Sequence, residues 1–575
     1  MPIGSRAPMR ILIFHGYLLD GTGSNVYNAR LAAALAQLGN EVHLLCQDRH
    51  PERQPFVDAV GDWDSGGLRI RALSASAPGD GADTPASAGS GSGAREGAGR
   101  CTVYRPDIGG LLPVYVADRY EGIEARTFAE CSDAEVAAYV DANVAAVREL
   151  AGRVSPDVAL ANHLVMGPVI LARALAERPI GGEVPYAVKV HGSALEYTVK
   201  PHPERFLDLA REGVAGARAV LVGSRHTAVS LWAALGDRGL PERTRLGPPG
   251  VDVDRFAPRD RAHARAGLSA LGTRLRAGGA ARPAAEHGGA VEASAGGDAF
   301  ARDDSSAARA LARLDPERDR LVVFVGKLIV SKGCDLLLAA WPLVLERVPA
   351  ARLVVVGFGA YRPGLERLLA ALSAGDLAGA REIALAGRAL EAQLSTGPAS
   401  SPSSESQPLR HLLAFLDGLQ GADSAGYLRA ARALPERVVF TGRLDHGELA
   451  DLLPACEALI VPSTFPEAFG MVAAEAAACG VLPISAAHSG LAEVSGALAR
   501  AVPGEVAPWL SFPVDDSSVG ALAERILAWL RVAEELREQT RAGLVRTVRE
   551  RWSWEGVARG VIAAARGELD ALAEP

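Results

Sequence analysis

The sequence has few aromatic residues, few cysteines and no excess of positive charge. Aromatic side chains make up 5% of the 575 residues, but 49% of the residues are apolar, so substantial cores are possible. The six cysteines show neither C-x-x-C pairs nor zinc-ligand spacing, which argues against a disulfide framework and favours a reducing compartment. The net charge of −8 argues against a protein that neutralises nucleic-acid phosphates, and no nucleic-acid partner is expected.

Long apolar runs are also missing. The N-terminal run Ile11–Phe14 is too short for a signal peptide, and no uninterrupted apolar stretch is long enough to span a bilayer. We therefore expect a cytoplasmic protein. No lysine-rich amphipathic helix requires a membrane, so membrane contact is expected to be peripheral at most.

The length suggests two large domains with additional segments. Short β-like runs alternate with helical patterns, which indicates an α/β protein with parallel, doubly wound sheets. A loop is predicted at Gly16–Asn25, followed by a helix at Val26–Leu38. The predicted strands are Arg10–His15, Glu41–Cys46, Val158–Ala161, Ala187–His191, Ala219–Val222, a run from Leu321, Arg352–Val356, Val438–Thr441, Ala458–Val461 and Leu482–Ser485.

The predicted domains are a Rossmann-like domain at 1–255, a linker with an insertion at 256–319, a second Rossmann-like domain at 320–551 and a C-terminal helix at 552–575. We expect this helix to return to the first domain. Three stretches are rich in Ala, Gly, Ser and Pro: Ser74–Arg100, Ala262–Ala310 and Ser373–Ala430. They are too poor in large apolar residues to form cores, and we interpret them as loop insertions with surface helices in places.

Two acids flank a predicted helix start in the segment P-E-A-F-G-M-V-A-A-E-A-A-A-C-G. Glu467 lies in a turn, and Glu475 lies eight residues later in an Ala-rich helix. The helix start falls at Phe469, Gly470 and Met471. Its free N–H groups favour an anion, so the segment is suited to a phosphorylated sugar. The alternative interpretation is that Glu467 is an ordinary helix-terminal charge and Glu475 a solvated helix residue.

Two cations follow the first strand of the second domain. Lys327 and Lys332 are five residues apart in the sequence G-K-L-I-V-S-K-G. This spacing at the carboxyl end of a strand suits a diphosphate, whose charge is spread over several oxygens. The alternative is a solvated loop with two ordinary lysines.

A glycine loop, Gly21-Thr22-Gly23-Ser24-Asn25, follows the first strand of the first domain. Glycine allows close backbone approach, and the following helix start favours an anion or a sugar oxygen. The third glycine of a dinucleotide-binding motif is absent, which disfavours NAD. A tight strand-to-helix turn is the alternative interpretation.

Two histidines lie at predicted strand ends of the first sheet. His191 ends the strand Y-A-V-K-V-H-G, at the edge where open α/β sheets bind ligands. His163 ends another strand and is interpreted as structural or as facing an acceptor. Asp252 and Asp254 form a D-x-D triplet, but they lie in the linker sequence P-G-V-D, so we predict no metal site there.

The motifs occur in the order found in the retaining family-4 glycosyltransferases of the GT-B fold. The pattern E-x-F-G-x-x-x-x-E, the glycine loop, H-G, P-G-V-D and G-K-L-I-V-S-K-G resemble that family over most of the chain, outside the three low-complexity stretches. The resemblance implies two Rossmann-like, doubly wound domains that face each other across a cleft. It also implies an EC 2.4 glycosyltransferase that uses a nucleotide-diphosphate-sugar donor and retains the anomeric configuration.

The resemblance also implies roles for individual residues. The implied catalytic residues are His191, Lys332 and Glu467. The implied donor-binding residues are Gly23, Lys327, Lys332, Phe469, Gly470, Met471 and Glu475, and the implied acceptor-side residues are Ser24 and Asn25.

By the same resemblance, Glu475 is expected to hold the ribose, Glu467 is expected to bind the transferred sugar, and His191 is expected to touch the donor sugar. The family usually has arginine where this chain has Lys327, so the phosphate geometry is expected to differ. Ser489–Glu493 resembles a later family loop near the donor, as a weaker match.

No metal or other cofactor is expected beside the donor, which is a co-substrate. The expected acceptor is a carbohydrate, a lipid-linked molecule or another small molecule. Two alternatives stay open: a GT-B-fold nucleotide-sugar epimerase and a non-catalytic nucleotide-sugar-binding protein. The presence of His191, Lys332, Glu467 and Glu475 together argues against the non-catalytic alternative.

Overall fold

A computed structural model of the chain divides into two compact units. The first unit contains Met1–Gly250 and Trp554–Pro575, and the second contains Val251–Ser553. The structure describes residues 8–20, 23–64, 67–73, 99–115, 123–176, 183–281, 303–392, 407–419 and 421–575.

The first unit is built on a nine-stranded sheet in its described part. The described strands of the whole unit, including two outside this sheet, are β1 (Arg10–Phe14), β2 (Glu41–Leu45), β3 (Ala59–Asp64), β4 (Gly67–Ala72), β5 (Arg100–Arg105), β6 (Leu111–Val114), β7 (Glu124–Thr127), β8 (Val158–Asn162), β9 (Tyr186–Lys189), β10 (Ala219–Val222) and β11 (Thr244–Leu246). Their order in the main sheet is β11-β10-β9-β8-β1-β2-β5-β3-β4. All pairs are parallel except β3 with β4, and β6 pairs with β7 in a separate small sheet.

The central strands of this sheet are buried on both faces. In β1, Ile11 pairs with Val42 of β2 on one side and with Val158 of β8 on the other. Such strands are continuous apolar runs, which is why the sequence predicts them well. The helices of the first unit are α1 (Gly23–Gln37), α2 (Asp133–Val154), α3 (Gly167–Ala176), α4 (Gly192–Ala194), α5 (Pro203–Ala215), α6 (Arg225–Leu235) and α7 (Leu240–Arg243).

Helix starts in the first unit follow local sequence signals. Helix α2 begins with a capping box, in which the side chain of Ser132 accepts from the N–H of Glu135 and the Glu135 side chain accepts from the N–H of Ser132. Helix α1 begins at Gly23, three residues before the predicted start at Val26. The predicted loop is therefore too long, because Asn25 and Asn28 bond to preceding carbonyls within the first turns.

The second unit contains a six-stranded, wholly parallel sheet in its described part. The strands are β12 (Arg320–Val325), β13 (Ala351–Val356), β14 (Val438–Gly442), β15 (Ala458–Val461), β16 (Leu482–Ala486) and β17 (Ser511–Phe512). Their order is β14-β13-β12-β15-β16-β17, and every pair is parallel. The predicted strands of both sheets are confirmed to within a few terminal residues.

Helices cover both faces of the second sheet. They are α8 (Arg261–Ala281), α9 (Asp304–Leu311), α10 (Cys334–Arg347), α11 (Arg362–Ala374), α12 (Leu377–Ala386), α13 (Ala389–Ala392), α14 (Arg410–Gly418), α15 (Gly421–Ala431), α16 (Leu434–Arg437), α17 (His446–Leu452), α18 (Met471–Ala478), α19 (Ser489–Ala499), α20 (Ser518–Leu530) and α21 (Glu534–Trp552). Two parallel, helix-covered sheets confirm the predicted α/β class with Rossmann-like units.

The prediction that the second and third low-complexity stretches cannot form cores is wrong. Leu268 and Leu271 of α8 and Leu412 and Tyr427 of α14 and α15 are buried in the core of the second unit. The prediction was based on average composition. It overlooked that the few large apolar residues recur at helical spacing and therefore lie on one face of each helix. Within the three low-complexity stretches, residues 74–98, 282–302, 393–406 and 420 lie outside the described residues.

The last α-helix is α22 (Trp554–Arg566), which belongs to the first unit. Val557, Ala558 and Val561 of α22 lie in the same hydrophobic cluster as residues of α1 and of the central strands. The Trp554 ring lies 5.5 Å from that of Tyr27 on α1. The six cysteines are all free and buried. No helix in the described ranges is both long and apolar enough to cross a bilayer.

Candidate functional site

The loop after β12 lies directly against the loop after β15. Gly333 follows Lys332 with φ of +64°, and a Cβ at this position would meet the carbonyl oxygen of Pro462 at 2.0 Å. Only glycine fits such a close approach in this backbone region. The two loops therefore place Lys332 beside Glu467.

Glu467 is fixed by contacts to three different side chains. The Nζ of Lys332 donates to Glu467 Oε1, and the Oγ of Ser463 donates to the same oxygen at 2.7 Å. The backbone N–H of Glu467 donates to the Oγ of Ser489 at 2.9 Å. The carboxylate is thus held in one orientation by charge and by hydrogen bonds before any ligand is present.

His488 completes this network. Its Nε2 lies 2.7 Å from the carbonyl oxygen of Ser463, so Nε2 donates, and its Nδ1 lies 3.0 Å from the Oγ of Ser489. Ser489 has φ of +51°, a left-handed conformation that non-glycine residues rarely adopt. Sequence reasoning noticed the Ser489 loop but missed His488, which no local motif singles out.

Helix α18 begins four residues after Glu467. Gly470 precedes the helix with φ of +139°, and Met471 is its first residue, as predicted. The Phe469 ring packs edge-on against Trp552, with ring centroids 5.4 Å apart. The first N–H groups of a helix have no partner within it, so this end can accept an anion.

Glu475 lies inside α18 and is only 2% exposed. The interpretation of Glu475 as a solvated helix residue is therefore wrong. Its Oε1 lies 3.3 Å from Nε2 of His446, the first residue of α17, and the His446 ring packs edge-on against Phe256. His446 is a further residue of this site that the sequence did not indicate, because it precedes Glu475 by 29 positions.

The two lysines of the site differ in their surroundings. Lys332 is partly buried and paired with Glu467, whereas Lys327 is exposed. Within the described part of the chain, no carboxylate pairs with Lys327. Lys327 is therefore accessible to solvent, whereas Lys332 is held by the carboxylate of Glu467.

In the first unit, a group of histidines lies at the carboxyl ends of β1, β8 and β9. The Nε2 of His191 donates to Oδ1 of Asn162 at 2.9 Å, which leaves Nδ1 without a hydrogen. Burial, followed by the nearby His163 and Lys189, holds the pKa of His191 well below its ordinary value. The imidazole is therefore neutral at neutral pH.

His163 has a strained backbone and no partner for its ring. It adopts φ of +69°, is 2% exposed, and neither ring nitrogen has a hydrogen-bond partner among the described residues. Burial and then His15 hold its pKa well below the ordinary value. Its ring lies 4.5 Å from that of Tyr115 and 4.9 Å from that of His191. Strain and unsatisfied polar atoms occur together at functional sites.

The described residues of the glycine loop, from Gly23 onward, form the first turn of α1, and Gly21 and Thr22 lie outside the described residues. Gly23 is exposed and Ser24 partly buried. Asn25 is 2% exposed, donates to the carbonyl of Asp20 at 2.6 Å and accepts from Nε2 of His15 at 3.1 Å. Much of its hydrogen-bonding capacity is thus used inside the unit.

Two family models described as "Glycosyl transferases group 1" match the second unit, over residues 319–394 and 413–543. The second unit of the chain matches this family. The resemblance to family-4 glycosyltransferases is thereby confirmed. The two matches contain Lys327, Lys332, Glu467 and Glu475, and the second also contains His488 and Ser489.

A curated relative of this chain is D-inositol 3-phosphate glycosyltransferase from Segniliparus rotundus. It is 30% identical over 270 residues, which cover 47% of this chain and 44% of the relative. The chain thus spans less than half of that relative's length.

Two solved structures share the fold. Sucrose-phosphate synthase from Thermosynechococcus elongatus has a TM-score of 0.51 at 17% identity, covering 98% of this chain and 100% of that one. Anabaena HepE in complex with UDP and glucose has a TM-score of 0.50 at 14% identity, covering 97% and 99%. These similarities establish the GT-B fold. Within the described residues, no group of three His, Cys, Asp or Glu side chains could hold a metal ion.

Proposed function

We propose that this protein transfers a glycosyl group from a nucleotide-diphosphate sugar to a hydroxyl acceptor, with retention at the anomeric carbon. The observation that carries this proposal is the fixed Lys332–Glu467 pair, located four residues before the N-terminus of α18. A cation, an oriented acid and an anion-accepting helix end in one place are what a sugar diphosphate needs.

The second unit is proposed to bind the donor. Lys332, the exposed Lys327 and the N–H groups of Phe469, Gly470 and Met471 bind the diphosphate. Glu467 accepts hydrogen bonds from hydroxyls of the transferred sugar. Glu475 accepts hydrogen bonds from the ribose, with His446 holding its carboxylate from the other side.

The chemical step breaks the bond between the anomeric carbon and the diphosphate oxygen. The electron pair stays on the diphosphate, and the acceptor oxygen forms the new bond and passes its proton to the departing diphosphate oxygen. The developing negative charge is stabilised by Lys327, Lys332 and the helix end, of which Lys332 and the helix end are held in place before the donor binds. The ion pair with Glu467 keeps Lys332 directed at this position.

The first unit is proposed to hold the acceptor. Gly23 and the neutral His191 are kept as candidate donor contacts, and the glycine-loop residues Ser24 and Asn25 are the candidate acceptor contacts. His163 joins them, because its two ring nitrogens lack partners and can each bind a hydroxyl. A neutral imidazole is able to accept a hydrogen bond from a hydroxyl of the acceptor.

UDP-sugars are the first donors to test, because HepE, which shares the fold, was solved with UDP and glucose. D-inositol 3-phosphate is the first acceptor to test, because the curated relative is named for it. A thermal-shift screen of UDP-, GDP- and ADP-sugars identifies the donor, since stabilisation follows affinity.

Product analysis then tests the reaction itself. We expect a glycosylated product only when donor and acceptor are both present, and we expect transfer to persist in excess EDTA. Conversion of the donor without an acceptor would identify an epimerase instead. Nucleotide-sugar binding without any conversion would identify a non-catalytic binding protein.

A further inference from the structure

A cavity of about 570 Å³ lies in the second unit, beside the segment that joins β13 to β14. One wall is Asp335 at the start of α10, a second is Arg388 with the start of α14, and a third is Phe465 in the loop after β15. The volume is in the usual range for small-molecule sites. Neither Lys332 nor Glu467 lines it, so it is separate from the proposed donor site.

Two arginines give this cavity a positive wall. Arg388 and Arg410 both line it, and in the described ranges neither guanidinium is paired with a carboxylate. Arg410 is oriented, because its Nε donates to Nε2 of His411 at 3.1 Å, and Nδ1 of His411 donates to Oδ1 of Asp516 at 3.1 Å. Unpaired guanidinium groups with this orientation suit the planar, multidentate recognition of a phosphoryl group.

The start of α14 adds donors to the same wall. Helix α14 begins at Arg410, and Leu409 before it provides no side-chain cap. The N–H of Arg410 donates to the carbonyl of Pro408 at 3.0 Å, so the N–H groups of His411 and Leu412, two residues that line the cavity, are those left at this helix end to attract an anion.

The cavity is also lined by an acid with one unsatisfied oxygen. Asp335 is 3% exposed, and its Oδ1 has no hydrogen-bond partner among the described residues. Burial raises the pKa of Asp335 to about 7. An unsatisfied carboxyl requires a hydrogen-bonding ligand, and a hydroxyl supplies one. Phe465, whose side chain is unusually exposed at 45%, offers an apolar face for the carbon atoms of a sugar ring.

We propose that this cavity binds a phosphorylated monosaccharide. The phosphoryl group binds Arg388, Arg410 and the N–H groups left at the start of α14, and a sugar hydroxyl binds Asp335. The site does not depend on the proposed transfer reaction. It does adjoin the loops of the donor site, because Ser331 and Thr464 also line it and the N–H of Thr464 donates to the carbonyl of Ser331 at 2.9 Å.

The test is calorimetric titration of the full chain with glucose 6-phosphate in the presence of saturating UDP. We expect binding to persist with UDP present and in Lys332→Ala. Arg388→Ala and Arg410→Ala are each expected to weaken it by at least about tenfold, the scale of one charge-assisted contact. Arg367→Ala is the matched control, because this exposed arginine of α11 does not line the cavity, and its affinity should equal that of the wild type.

Two further titrations separate the phosphoryl group from the sugar. Inorganic phosphate should bind more weakly than glucose 6-phosphate, and glucose alone should not bind measurably. Equal affinity for inorganic phosphate would overturn the sugar contact with Asp335. Competition with UDP, loss of binding in Lys332→Ala, unchanged affinity in the Arg388/Arg410 double variant, or no binding at all would overturn the site. Melting temperatures of the variants establish that they are folded.

Discussion

The backbone N–H of Glu467 donates to the Oγ of Ser489, 22 positions later in the chain, at 2.9 Å. Ser489 makes this contact from a left-handed backbone conformation, with φ of +51°. A left-handed serine is less favourable than a glycine, and the hydrogen bonds to Glu467 and His488 offset that cost. The loop after β16 therefore helps to orient the acid that follows β15.

The side chain and the backbone of Ser489 can be tested separately. Ser489→Ala and Ser489→Gly both remove the Oγ, so both should lower turnover by roughly three- to tenfold, the scale of one hydrogen bond. Only the glycine variant also relieves the left-handed conformation. It should therefore have the higher melting temperature of the two, by the equivalent of about 1 kcal/mol. Steady-state kinetics and thermal unfolding measure the two effects.

The outcome for nucleotide binding distinguishes positioning from general damage. UDP affinity should be unchanged in both Ser489 variants, because neither removes a proposed nucleotide contact. Wild-type turnover in Ser489→Ala would show that the hydrogen bond does not position Glu467.

The two lysines should contribute differently. Lys332→Ala removes a phosphate contact and also the cation that holds Glu467, so it should weaken UDP binding and lower turnover by roughly 10²-fold. Lys327→Ala should weaken UDP binding with a smaller effect on turnover, because Lys327 does not contact Glu467. Calorimetry with UDP and steady-state kinetics measure both variants.

Lys200→Ala is the control for loss of a lysine charge. Its Nζ binds Glu196 at 2.8 Å on the surface of the first unit, and it is not among the proposed phosphate contacts. It should behave as the wild type. If Lys332→Ala bound UDP with wild-type affinity, the diphosphate assignment would be wrong.

The predicted strands could be found from the sequence because parallel strands covered on both faces are continuous apolar runs. Strands β3 to β7, β11 and β17 were missed. In β4, buried Leu68 is followed by exposed Arg69, Ile70 and Arg71, so no apolar run marks the strand. Only pairing with β3 makes it a strand, and that pairing is a tertiary contact.

The site was predictable where its residues lie close together in the chain. The positions of Glu467, Gly470 and Met471 around the start of α18 follow from local helix signals. The contacts of His446 and His488 do not, because each depends on two loops from different strands meeting at one sheet edge. A single sequence contains no local signal for such a meeting.

Asp335 should make stability depend on pH. Burial raises the pKa of its carboxyl to about 7, whereas an unfolded aspartate titrates near about 4. Between these values the folded state keeps a proton that the unfolded state has lost. The free energy of unfolding should therefore fall as pH rises through this range, by at most about 1.4 kcal/mol per pH unit.

Asp335→Asn removes this titration. The melting temperature of the variant relative to the wild type should increase as pH rises from about 5 to about 8, because only the wild type loses stability. A pH-independent difference for Asp335→Asn would mean that Asp335 is ionised in the folded protein throughout this range.

Substitution of Glu475 in α18 and of Glu467 in the turn before it should affect the binding of different ligands. Glu475 is buried beside His446 and is proposed to bind the ribose, so Glu475→Gln should weaken UDP and the UDP-sugar alike. Glu467 is proposed to bind the transferred sugar, which UDP lacks. Glu467→Gln should therefore leave UDP affinity nearly intact and lower turnover.

Each of these charge-assisted contacts corresponds to roughly ten- to a hundredfold in affinity or rate. Glu467→Gln also weakens the ion pair that holds Lys332, so a loss of UDP affinity of about threefold or less is compatible with the assignment. Calorimetry with UDP and steady-state kinetics on both variants decide the matter, with Glu524→Gln, an exposed acid of α20 outside the proposed contacts, as the matched control. If Glu467→Gln lost as much UDP affinity as Glu475→Gln, the division of roles between the two acids would be wrong, because the sugar contact is absent from that ligand.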